Sequence, residues 1–67
     1  MGDLFPPLDY SIDEQVAEVE RELHLREELY PKWVLARKMT QSRADRQIGL
    51  MRAVLVNMKR LKEMGHG

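Results

Sequence analysis

From Ile12 the apolar positions return at steps of four and three: Ile12, Val16, Val19 and Leu23, then Arg26, Tyr30 and Trp33 in the same phase. Such steps keep one stripe of an α-helix facing one way. A second run with this spacing is Ala44, Ile48, Met51, Leu55 and Met58. The pattern predicts two amphipathic helices, roughly residues 12–37 and 41–64. Each carries a further apolar stripe beside the first. Leu25, Leu29 and Ala36 mark it on helix one; Leu50, Val54, Leu61 and Met64 mark it on helix two.

Local signals set the boundaries. Ser11-Ile12-Asp13-Glu14 reads as a capping box, in which the Ser11 hydroxyl accepts from the Glu14 amide. Pro31 falls inside the first periodic run. It has no N–H to donate to the Glu27 carbonyl, and its ring crowds that turn. The stripe nevertheless stays in phase from Leu23 through Tyr30 to Trp33, so the expectation is one helix kinked at Pro31. Arg37-Lys38-Met39-Thr40 reads as the turn. Thr40 is the expected N-cap of helix two, Met39 and Ala44 its hydrophobic staple, and Gly65 its stop. Residues 1–10 contain Pro6 and Pro7 and read as an extended arm folded back on the helices; residues 65–67 read as a frayed end.

A short turn between long helices makes them antiparallel. The expected fold class is therefore all-α, an antiparallel two-helix hairpin over residues 11–64. Leu23 would face Leu55, and Tyr30 would face Ile48 or Gly49. Gly49 and Ala53 are small residues four apart in helix two, where Gly costs ~1 kcal/mol relative to Ala. A close helix approach, or a recess for Tyr30 or Trp33, is the expected reason.

A hairpin has one internal seam, so the second stripes stay wet in a single copy. Sixty-seven residues also bury too little apolar surface to be robust alone. With no cysteine in the chain, disulfides cannot help. Pairing two hairpins into a four-helix bundle solves both problems. The expected state is a homodimer with Leu25, Leu29, Leu50, Val54, Leu61 and Met64 at its interface.

The formal net charge is zero, but it is divided. Residues 1–30 hold nine acids and two bases; residues 31–67 hold nine bases and two acids. In an antiparallel hairpin the acidic start of helix one lies beside the basic end of helix two. The same charges disfavour parallel self-pairing. Glu20, Glu27 and Glu28 are expected to lie away from the seam. With Tyr30 or Trp33 as an apolar anchor, they make a candidate partner-binding surface suited to a basic, DNA-reading protein face. The bases of helix two and the turn support a second reading, a small RNA- or DNA-binding hairpin. The acids of helix one would repel phosphates and count against it.

Other chemistry is poorly provided for. His24 and His66 are far apart, and there is no Gly-rich phosphate loop. No catalysis, cofactor or metal is expected. No run is long and apolar enough to cross a membrane, and no basic segment followed by an apolar stretch marks a secretory signal. A cytoplasmic protein is the expectation.

One resemblance adds a function. Arg26, Tyr30-Pro31, Trp33-Val34, Lys38-Met39-Thr40, Ala44-Asp45, Ile48 and Met51-Arg52-Ala53 together cover about half of the chain. As a set, they resemble a group of small helical proteins encoded by temperate phages and prophages. Two departures stand out: the group's pattern has a Gly near Arg37 and an acid near Arg43. The resemblance implies a homodimeric anti-activator working in the host cytoplasm. Such a protein binds the DNA-binding domain of a LuxR-type quorum-sensing transcription activator and also inhibits the pilus-assembly ATPase. It implies no catalytic residue and no direct contact with nucleic acid.

Overall fold

The structure, a computed structural model, describes residues 10–65. Two α-helices, α1 (Ile12–Leu35) and α2 (Gln41–Met64), are the only regular elements among these residues. Each is 24 residues long, ~36 Å at 1.5 Å per residue. They pack along each other as a hairpin, and α1 runs unbroken through Pro31. Cross-helix pairs fix the antiparallel register: Asp13 with Lys62, Glu20 with Lys59, and Glu27 with Arg52.

Both expected caps are present. The Ser11 hydroxyl accepts from the Glu14 amide, and the Thr40 hydroxyl from the Arg43 amide, each at 3.1 Å. Caps of this kind stabilise a helix by ~1 kcal/mol. Asp13 and Glu14 in the first turn of α1 also suit the positive end of its dipole.

The seam follows the four-three spacing. Val16 and Ala44 are buried, at 6% and 2% exposure. Ile12, Val19, Leu23 and Tyr30 of α1 are half-buried, as are Ile48, Met51, Leu55 and Met58 of α2. Arg26 belongs to the same line. Its Nη1 donates to the Gln47 carbonyl of α2 at 3.1 Å, while its Nε donates to Glu22. The seam is therefore apolar along most of its length, with one charged cross-link near the middle.

Helix α1 stops two residues short of the expected boundary. The Lys38 amide donates to the Trp33 carbonyl at 2.8 Å, and the Arg37 amide to the Val34 carbonyl at 3.0 Å. This is the Schellman pattern, in which the chain turns through a left-handed residue to satisfy the last free carbonyls. That residue is Arg37, with φ of 60°. A side chain is strained in this region by ~1–2 kcal/mol, which is why glycine usually occupies it. Gly65 does end α2, but with an ordinary helical φ of −70°.

The expected role of Gly49 is corrected. A methyl group built on it would meet nothing within 4 Å. Gly49 and Ala53 are both exposed, because their helical phase places them on the far side of α2 from the seam. They admit neither α1 nor the rings of Tyr30 and Trp33. The expected frayed end lies outside the described residues except for Gly65, and the arm except for Tyr10. The Tyr10 carbonyl accepts from the Gln15 side-chain amide at 3.1 Å.

Two substitutions test these backbone readings in thermal unfolding. Arg37→Gly relieves the left-handed strain and should raise stability by ~1 kcal/mol, about 4–8 °C in a domain of this size. Gly49→Ala should also stabilise by ~1 kcal/mol, since it adds helix propensity without a clash. A loss of stability on Gly49→Ala would mean that this side of α2 packs against something in solution.

Candidate protein interface

The side chains flanking the seam divide by chemistry. On one side α1 presents Glu20 and Glu27, and α2 presents Lys59 and Arg52. Glu27 Oε2 accepts from Arg52 Nη2 at 2.7 Å; Glu20 and Lys59 approach to 3.5 Å. At the open end of the hairpin, Lys62 Nζ lies 2.6 Å from Asp13 Oδ1. The hydrogen bond from Lys62 to Asp13 raises the pKa of the Lys62 ammonium above its ordinary value. This face is a ladder of paired charges, close to neutral.

The opposite face is apolar. Helical phase puts Leu25 and Leu29 on the other side of α1 from Glu20 and Glu27. The same count puts Leu50, Val54, Leu61 and Met64 on the other side of α2 from Arg52 and Lys59. The two stripes therefore lie side by side on one face of the hairpin. All six residues are exposed, from 36% at Leu25 to 75% at Met64. Trp33, 39% exposed, extends this face toward the turn. Its ring stacks on that of Tyr30, with centroids 5.5 Å apart and planes at 27°. Toward the open end, Tyr10, Val19 and Met58 line a shallow cavity of about 700 Å³.

Magnitudes rank the two faces. An exposed ion pair contributes ~0.2–1 kcal/mol and weakens with salt. Covering a large apolar side chain exposed to this degree contributes on the order of 1 kcal/mol. Six such side chains outweigh three surface pairs, so the apolar face dominates any association.

The acidic surface read from the sequence is corrected in part. Glu20 and Glu27 do not lie away from the seam; they border it, because their phase brings them over Lys59 and Arg52. Glu28 does point away from α2. Its carboxylate is 3.0 Å from His24 Nε2, a pair within α1. Glu18 and Glu22 are held by Arg21 and Arg26 on the same helix. The hydrogen bond from Arg21 pulls the Glu18 carboxyl below its ordinary pKa. Tyr30 is half-buried in the seam, so Trp33 is the more accessible of the two candidate anchors.

Sequence reasoning passed over one feature, while the bases of the turn, Arg37, Lys38, Arg43 and Arg46, were already legible as a patch suited to phosphates or an acidic partner. Leu35 is 86% exposed in the last turn of α1, although no stripe includes it. Lys32, Arg37, Lys38, Arg43 and Arg46, which surround the turn, form no ion pair with any described residue. Only the antiparallel register reveals which bases α1 neutralises and which it leaves.

Among the described residues no three histidine, aspartate or glutamate side chains are grouped to hold a metal ion, and no helix is long and apolar enough to cross a membrane. The chain matches no protein-family model, no curated protein and no solved structure.

Proposed function

We propose that this protein is a homodimeric binding module that inhibits a host regulator by covering its working surface. The exposed apolar face carries this reading: a helical hairpin with two buried side chains among the described residues and six large apolar residues on one flat side is built to meet another protein surface. Two copies pairing through Leu25, Leu29, Leu50, Val54, Leu61 and Met64 make a four-helix bundle. Pro31 kinks α1 within that bundle and aims Trp33 and the turn outward.

The target follows from the resemblance to small phage proteins. It is the DNA-binding domain of a LuxR-type transcription activator, with the pilus-assembly ATPase as a second target. The charge ladder shapes how contact is made. Glu28, with Trp33 as apolar anchor, supplies the most accessible contact, and Glu20 and Glu27 contribute by exchanging Lys59 and Arg52 for bases of the target. Charge speeds such encounters, while the anchor sets most of the affinity. Catalysis has no part in this function.

Two measurements test it. Sedimentation at micromolar concentration should show a dimer for the natural chain, and monomers or unfolded chains for Leu50→Glu with Leu61→Glu. A stable, folded wild-type monomer at that concentration overturns the bundle. For the target, the triple variant Glu20→Gln, Glu27→Gln and Glu28→Lys should remain dimeric yet displace DNA from the activator at least tenfold less well. Unchanged displacement by a dimeric triple variant excludes the acidic contact.

A further inference from the structure

Around the turn, charge is arranged at the expense of stability. Lys32, Arg37, Lys38, Arg43 and Arg46 lie there, and the only acid between Lys32 and Arg46 is Asp45. Asp45 is itself bonded to the Gln41 side chain. None of the five bases has an ion-pair partner among the described residues. Arg43 sits in the first turn of α2, which holds no acid, and so adds positive charge where the helix dipole is already positive. Arg37 occupies a left-handed position that favours glycine. Like charges gathered in this way repel, and Asp45 is the one acid of this segment to set against the five bases.

They also converge. Arg37, Lys38 and Arg43 line one open cavity of about 610 Å³, floored by Val34 and Met39. Three cationic side chains around a concave surface suit a polyanion. Arginine predominates among the five, and its planar fork matches phosphate oxygens in pairs.

The acids of α1 do not defeat this reading. Glu20 and Glu27 are paired across the seam and Glu18 and Glu22 along α1, so their fields are largely cancelled locally. The open end of the hairpin lies ~30 Å from the turn, several Debye lengths at physiological salt.

We propose that the turn end of the hairpin, through Arg37, Lys38 and Arg43 with Arg46 alongside, binds the phosphate backbone of nucleic acid without reading its sequence. The site is separate from the apolar face and from Glu28, and it stands or falls independently of the regulator-binding role.

Fluorescence anisotropy with a labelled 20-nucleotide single strand and the matching duplex, using the full chain, tests the proposal. With three to four phosphates neutralised, affinity should fall on the order of 40-fold or more for the duplex, and ~20-fold or more for the single strand, between 50 and 200 mM salt. Arg37→Gly with Arg43→Gln should weaken binding at least tenfold and lower the salt slope by about two. Arg37→Gly relieves strain, so helical circular dichroism of this variant should be retained. Arg60→Gln removes an unpaired base far from the turn and should change binding less than twofold. Absence of binding at 50 mM salt overturns the proposal. So does equal weakening by Arg60→Gln, which would mean attraction by diffuse charge alone. Binding to phosphatidylserine vesicles with none to either oligonucleotide would also overturn it and assign the surface to a membrane.

Discussion

Everything in this molecule depends on a geometric constraint: two helices have a single line of contact. However well that seam packs, each helix offers it only about a third of its circumference. Val16 and Ala44 are buried, most other seam residues are half-covered, and the described residues enclose no larger core. The remaining surface of each helix must satisfy water or a partner. The chain divides that surface in two, a face of paired charges and a face of exposed leucine, valine and methionine.

The division follows from helical phase. Side chains about 90° to either side of the seam point to opposite faces of the hairpin. Glu20 and Glu27 fall on one side and Leu25 and Leu29 on the other. The matching positions of α2 carry Lys59 and Arg52, then Leu50 and Val54. One face can therefore be soluble and nearly neutral while the other is adhesive. Charge pairs worth a few tenths of a kcal/mol each do little for stability. They do fix which helix direction is allowed, and a parallel arrangement would set acids against acids.

The turn connects this architecture to function. Antiparallel packing pairs Arg52, Lys59 and Lys62 of α2 with acids of α1, and it leaves the bases near the turn without partners among the described residues. The resulting molecule has three chemically distinct regions: a neutral ladder, an apolar face and a basic tip. The proposed assembly, target and phosphate site use different regions and do not compete for the same side chains.

Much of this was legible in the sequence. The four-three spacing located both helices and the seam, Ser11 and Thr40 marked their starts, and the phase across Pro31 foretold one continuous α1. These are local properties of the chain, fixed by helix period and backbone donors. The second stripes, Leu25 to Met64, could be read by the same count. Three things needed the tertiary structure. The pairing of Glu20 and Glu27 with Lys59 and Arg52 depends on how the two helices are rotated about the seam, which residue types alone do not set. The left-handed Arg37 arises because closing the hairpin requires that conformation whichever residue occupies it. The openness around Gly49 depends on which side of α2 turns toward α1, and a small residue in the sequence looks the same on either side.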